Sequence, residues 1–275
     1  MLRRMRIAIL IVGLIACGTP SRDGSGVLDA NTGSNGSGAF QDAPIGTGGT
    51  TYVYAHTAGE LYKIDPDTLA RTLVGSFGWP SGSDQMTDLA IDRNGNMIGI
   101  SFGSVYRVDP TNAAVTLLHA LSGGTFNGLS FVPATAINQT GDDVLIATRG
   151  DDGLVFRIDQ TTGVASQIGN MGSTYASSGD TVGIDNFGVL QTVQGAPNDV
   201  LVRLAPGTFT ATPIGTNTGF GQIYGVGFWK NQIFGFTLAG DFIKIDAATG
   251  AGVLVEHTGL QWYGAAVTTV APVIQ

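Results

Sequence analysis

Three observations in this 275-residue chain predict an all-β fold made of repeated four-stranded units. First, one strand-and-turn segment is written five times: LYKIDPDT at 61–68, VYRVDPTN at 105–112, VFRIDQTT at 155–162, LVRLAPGT at 201–208 and FIKIDAAT at 242–249. Second, the position that ends each of these strands (Asp65, Asp109, Asp159, Ala205, Asp246) recurs at intervals of 44, 50, 46 and 41 residues. A period near 45 with only β-patterns points to propeller blades. Third, the chain carries 42 Gly and only 12% charged residues. Such a balance favours turn-rich, well-buried β-structure, and no 3.6-residue apolar periodicity is sustained after residue 20. The prediction is a β-propeller of five four-stranded blades over 51–275, closed by the C-terminal strand.

Each unit reads as a meander. In the second, FNGLSFVP is followed by DVLIATR, LVFRID and VASQIGN, apolar or alternating runs separated by Gly, Asn, Asp and Pro. These are the signals of antiparallel strands joined by tight turns. DRNGN at 92–96 supplies the Asn-Gly a hairpin favours, and DPDT and DPTN suit type I turns capped by Asp. The strand before that Asp carries a basic residue in every copy: Lys63, Arg107, Arg157, Arg203 and Lys244. A feature that repeats with the scaffold reads as scaffold, a long stem laid over apolar surface with its charge in water.

The segments expected to lie innermost are MTDLAIDRNG, FNGLSFVP, DTVGIDNFG, IYGVGFWKN and WYGAAVTTV. One position in them is always small (Ala90, Ser130, Gly183, Gly227, Ala266) and is followed by a larger side chain (Ile91, Phe131, Ile184, Phe228, Val267). Five strands crowding a narrow axis need small residues where neighbouring blades touch. This strand order resembles WD-repeat and YVTN-type propellers. The first unit, from TYVYAHT, lacks an inner strand before it, and the last inner strand lacks partners after it. Pairing the two would close the ring and remove an exposed sheet edge.

The N-terminus carries an address. Arg3, Arg4 and Arg6 precede a ten-residue apolar run, Ile7 to Ala16. That is too short to span a bilayer but fits the apolar region of a signal peptide. The run ends in LIAC at 14–17, which resembles the bacterial lipobox. The resemblance implies a lipoprotein signal peptide at 1–16, cleavage before Cys17, and lipidation of Cys17, the only cysteine. Residue 18 is Gly. By resemblance to the Gram-negative sorting rule, the absence of Asp there implies the outer membrane of the cell envelope. Residues 17–50, rich in Gly, Ser, Thr and Asn, read as a flexible, disordered linker. The DANTGSNGSG stretch within it has too few carboxylates for a calcium loop. Removing the three leader arginines from 13 basic groups leaves ten against 21 acidic ones, a net −11. So acidic a domain is repelled by nucleic acid, and its membrane contact would come from the lipid anchor.

The chemistry is sparse. His56, His119 and His257 fall at strand ends, without a nucleophile elbow. Glu60 and Glu256 lie far from the inner strands, so a glycosidase carboxylate pair is not in view. One cysteine and scattered histidines do not make a zinc site. Asp88, Asn127 and Asp180 at the start of inner strands, with Asp84 in the preceding loop, offer oxygen ligands that would suit calcium in the channel. Calcium-dependent lactonase-like propellers use such a site. Their ring of Glu, Asn and Asp is incomplete here, with Thr181, Gly225 and Gly264 at comparable places. The loops leading into the inner strands are richer. They present Trp79, Phe126, Tyr175, Phe220, Trp262 and Tyr263 among Gly, Ser, Asn and Gln, a composition suited to a glycan, a peptide or an envelope protein. The leading reading is a non-enzymatic binding or scaffolding module; the alternative is a calcium-assisted hydrolase or lactonase. If Cys17 carries the lipid, Cys17→Ser leaves unlipidated protein that no longer partitions with membranes, and mass spectrometry with membrane fractionation checks both.

Overall fold

The computed structural model describes residues 52–274; the expected signal peptide, lipidated Cys17 and linker lie outside the described residues. Twenty strands form five four-stranded antiparallel sheets. Blade 1 contains β1 (Val53–His56), β2 (Glu60–Ile64) and β3 (Arg71–Ser76). Blade 2 contains β4 (Asp88–Ile91), β5 (Met97–Ile100), β6 (Ser104–Val108) and β7 (Val115–Ala120). Blade 3 contains β8 (Gly128–Val132), β9 (Val144–Thr148), β10 (Leu154–Ile158) and β11 (Ala165–Asn170). Blade 4 contains β12 (Ser177–Ile184), β13 (Gly188–Val193), β14 (Val200–Leu204) and β15 (Ala211–Ile214). Blade 5 contains β16 (Ile223–Trp229), β17 (Gln232–Thr237), β18 (Asp241–Asp246) and β19 (Gly252–His257). The last strand, β20 (Gly264–Ala266), returns to blade 1 and pairs with β1 in the register Tyr54↔Ala266, Ala55↔Ala265, His56↔Gly264. This is the ring closure expected from the sequence, made by three residues.

The inner strands follow one another around the axis in the order β4, β8, β12, β16, β20 and back to β4. They are almost wholly buried, while the outermost strands show solvent on one face. The small inner position has the expected cause. A Cβ on Gly183 would lie 2.6 Å from Val132 Cγ1, and one on Gly227 would lie 2.5 Å from Val53 Cγ1. Neighbouring blades pack at that point with no room for a methyl group.

The repeated Asp is a turn cap. Asp65, Asp109, Asp159 and Asp246 each accept N–H bonds from residues two or three further on. Four residues after it comes a left-handed residue whose N–H returns to its carbonyl: Leu69, Ala113, Gly163, Phe209 and Gly250, with φ of 63°, 61°, 72°, 60° and 72°. Blade 4 keeps this turn although Ala205 replaces the Asp, because the backbone bond survives. Three copies accept the cost of a side chain in left-handed geometry, of order 1–2 kcal/mol. In return they gain packing between blades: Ala113 and Phe209 are fully buried, and Leu69 packs on the core. The repeated basic residue behaves as scaffold where it touches a ring. Lys63 lies 5.0 Å over Tyr52, and Arg203 lies 5.3 Å over Phe187.

Backbone bonds tie the end of each of the first four blades to the next, as in Ser122 N–H to Gly163 O at 3.0 Å and Gly252 N–H to Thr218 O at 2.8 Å. Side chains also bridge the closing seam between blades 5 and 1. Arg71 pairs with Glu256 at 3.1 Å, and Asp67 accepts from Lys230 at 2.8 Å and Trp229 Nε1 at 3.0 Å.

We call bottom the end that holds the turns between first and second strands. The residues after β20 cross it. Thr268 Oγ1 donates to Asp92 O at 3.0 Å in blade 2, and Thr269 Oγ1 donates to Asp143 at 2.5 Å in blade 3. Asp185 N–H of blade 4 donates to Thr269 O at 2.7 Å, and Lys230 N–H of blade 5 to Pro272 O at 2.9 Å. Asp143 is itself held bidentately by Arg93. The tail therefore straps four blades together, with Val267, Thr269 and Ala271 buried. Deleting 267–275 keeps β20 but removes this strap. Burying one Val contributes about 1.5–3 kcal/mol and each hydrogen bond about 1. Denaturant unfolding of the truncated chain is expected to show a loss of about 3 kcal/mol or more; an unchanged midpoint would contradict the strap.

Candidate functional site

The opposite end, the top, gathers the loops leading into inner strands and the turns between second and third strands. A cleft of about 540 Å³ opens there at the junction of blades 3 and 4. Tyr175, Ser173 and Thr174 line it from the loop before β12, with Asp151 and Asp152 from the turn before β10, Asn170 at the end of β11, and Gln194 after β13. Arg149 braces one wall: it is paired with Asp152 and lies 4.8 Å over Phe156. Gln194 Nε2 donates to Gly150 O at 2.7 Å and Ser177 O at 3.0 Å, which fixes the amide. Beside it Asn127 donates to Ser178 O at 3.3 Å, while its buried Oδ1 has no partner among the described residues. The lining thus combines one aromatic ring with carboxylate, amide and hydroxyl groups.

The six aromatic residues expected at this rim divide. Tyr175 is half-buried and lines the cleft. Trp79, Phe220 and Tyr263 are half-buried elsewhere on the rim. Trp262 and Phe126 need correction as ligand anchors. Trp262 is 0% exposed, edge-on to Tyr62 at 5.3 Å and Phe236 at 5.5 Å, with Nε1 donating to Thr258 Oγ1 at 3.1 Å. Phe126 is 1% exposed and edge-on to Phe156 at 5.2 Å. Both fill gaps between blades. Trp79 and Trp262 also do not share one patch. Trp79 packs on Tyr106 at 5.3 Å in the core between blades 1 and 2, whereas Trp262 belongs to the core shared by blades 4, 5 and 1. Phe102, at the turn before β6, is 57% exposed at this end and carried no motif that marked it.

The four oxygen ligands expected to converge on a cation do not. Asp84 is exposed and bound to Tyr106 Oη at 2.6 Å, and Asn127 is turned to the Ser177 and Ser178 carbonyls. Asp88 and Asp180 meet at β20 on the axis, both 0% exposed: a Cβ on Gly264 would overlap Asp88 Oδ1, and the next residue, Ala265, donates to Asp180. Their oxygens are already engaged by backbone. Asp88 Oδ1 accepts from Leu89 N–H at 2.8 Å, and Oδ2 from Leu129 N–H at 2.6 Å. Asp180 Oδ1 accepts from Thr181 N–H at 2.6 Å, and Oδ2 from Val226 N–H at 2.7 Å and Ala265 N–H at 3.2 Å. Among the described residues, no three His, Cys, Asp or Glu side chains are grouped to hold a metal.

Burial raises the carboxyl of Asp88 well above the usual range, and the charge of Asp180 raises it further. Burial also raises Asp180, against the pull of three backbone N–H donors. Two buried carboxyls that meet with no cation beside them favour keeping one proton between them. His56 completes the group from β1. Burial lowers it to about 4, so the ring is neutral. Its Nδ1 faces Thr57 O at 2.8 Å, and its Nε2 lies 3.9 Å from Asp88 Oδ1, too far for a hydrogen bond. Gly264 sits against both, and a Cβ there would overlap Asp88 Oδ1 and His56 Nε2.

No family model matches the chain, and no curated protein matches it. Solved structures of similar fold do. A chain from the crystal structure of a nidogen/laminin complex is 10% identical with a TM-score of 0.52, over 80% of this chain and 100% of that one. A protein of unknown function from Bacteroides caccae is 9% identical with a TM-score of 0.43, over 75% of this chain and 72% of that one. The computationally designed Ika8 protein is 15% identical with a TM-score of 0.36, over 80% and 63%. At 10% identity the first of these speaks to the fold alone, and the five four-stranded sheets in a ring are a β-propeller.

Because Trp262 fills the core, Trp262→Ala is expected to cost about 3–5 kcal/mol of stability. Equilibrium unfolding measures it, and a cost below about 1 kcal/mol would return Trp262 to the candidate anchors.

Proposed function

We propose that this chain is a lipid-anchored binding module of the cell envelope, tethered through Cys17 at the outer membrane, whose non-enzymatic propeller takes a glycan on its top face. The observation that carries this reading is the difference between the two ends. The chain's own tail crosses the axis at the bottom, where a mostly apolar hollow remains beside Arg107 and Pro110 of blade 2, while the top carries an open polar cleft with a half-buried tyrosine at its edge. β-Propellers are often used for binding, and a ring face beside carboxylate, amide and hydroxyl groups is the chemistry that holds a sugar. Asp151, Asn170 and Ser173 offer acceptors and donors to hydroxyl groups, and Tyr175 offers its face to the apolar side of a pyranose. The acidic balance argues against nucleic acid as a partner. A calcium-assisted hydrolase draws no support from the axis, where the two carboxyls are buried and each oxygen already accepts a backbone N–H.

The test is binding of the full chain to a panel of envelope glycans, with Tyr175→Ala beside it. An aromatic anchor is worth about 2 kcal/mol or more, a loss of about thirtyfold in affinity, with the unfolding midpoint nearly kept. Equal binding by the variant would move the site. Capture of a protein with no glycan bound would replace the ligand class.

A further inference from the structure

We propose that Asp88 and Asp180 form a proton-operated clasp: while one proton sits between them they lace all five inner strands together, and its loss to solvent loosens the ring. The lacing is visible bond by bond. Asp88, on β4, reaches the backbone of β8 at Leu129. Asp180, on β12, reaches β16 at Val226 and β20 at Ala265. The two halves meet at β20, where Gly264 lies against Asp88 Oδ1 and Ala265 N–H donates to Asp180 Oδ2. Every inner strand is thus held either by one of these side chains or by carrying it. β20 is also the strand that closes the ring, so the clasp acts on the closure itself.

The surroundings offer nothing to neutralise a second charge. From β8, β16 and β20 the pair meets backbone N–H groups, and from β1 it meets His56, neutral with Nε2 at 3.9 Å. Among the described residues, no Lys or Arg pairs with either carboxyl. When the Asp88 O–H bond breaks, its proton leaves to water and two carboxylates face each other where water is excluded. Such a pair cannot stay ionised at contact.

The pH range follows from the two opposed shifts. Above about pH 4 an unfolded chain releases both aspartate protons, while the folded pair keeps one. One extra proton in the folded state makes the folding constant fall about tenfold per pH unit. His56 acts the other way. It is neutral in the fold down to about 4, whereas unfolded it takes a proton below 6.5. Between about pH 4 and 6.5 the two contributions offset each other; above that range His56 no longer offsets the clasp. Asp199, raised by burial, has the same sign as the clasp but contacts Ser178 and Ile223 instead.

The experiment is denaturant unfolding of the full chain from pH 5 to 9, for the parent and for Asp88→Asn. The amide keeps one of the two oxygen acceptors, so it gives up either the Leu89 or the Leu129 bond, and its N–H protons do not titrate. While the clasp keeps its proton above about pH 6.5, the parent's folding constant should fall about tenfold per unit more steeply than the variant's, which keeps only the contribution of Asp199. Equal slopes in parent and variant would overturn the proposal. Should Asp88→Asn fail to fold, the parent decides the matter by carboxyl ¹³C NMR. An aspartate carboxyl that titrates well above the ordinary range, and still does so in Asp199→Asn, supports the clasp, and titration of every aspartate other than Asp199 in the ordinary range overturns it.

Discussion

Five strands meeting on one axis leave almost no room, and the protein uses the little that remains for two carboxyl groups. The first constraint is steric. A Cβ on Gly225 would lie 2.7 Å from the backbone carbon of Gly264, and one on Gly264 would collide with Asp88 and His56. Backbones this close bring N–H groups of different strands to the axis, away from water and from any ladder that could take them. Buried N–H groups must be paired. Asp88 and Asp180 accept five such bonds between them. The glycines create the crowding, and the aspartates resolve the unpaired donors that crowding produces.

The same logic, small against large, runs outward through each blade junction. Gly75 faces Ala113, and Gly169 faces Phe209. Where the turn residue is itself glycine, at 163 and 250, a neighbouring backbone carbonyl occupies the place a side chain would take. Each junction therefore solves one packing problem in one of two ways, which is why five copies of a turn share geometry without sharing sequence.

The two ends of the molecule differ in what crosses them. Its last residues strap the bottom of four blades and bury polar groups such as Asp143 in the process. Nothing equivalent among the described residues spans the top, where Asp151, Tyr175 and Gln194 converge from three separate connections. The buried axis supports the fold from within.

The sequence by itself determined the architecture: five copies at a period near 45, a small residue in every inner strand, an Asp capping every turn but one, and a final strand with no sheet of its own. Those features are local or periodic, so they survive in one dimension. It marked Tyr175 as well, because that ring lies in a rim loop rich in small polar residues. What only the tertiary structure decided were relations between distant residues. Trp262 and Tyr175 sit in similar loops, yet one fills the gap between blades and the other edges a cleft, because the angle between blades sets which ring meets a neighbour. Asp88 and Asp180 looked like open ligands and proved to be partners of backbone from other strands. His56, 32 residues before Asp88, reached the axis through the strand that closing β20 made interior. Side-chain type and spacing fix which strands form; which groups meet at the centre depends on closing the ring, and no local pattern records that.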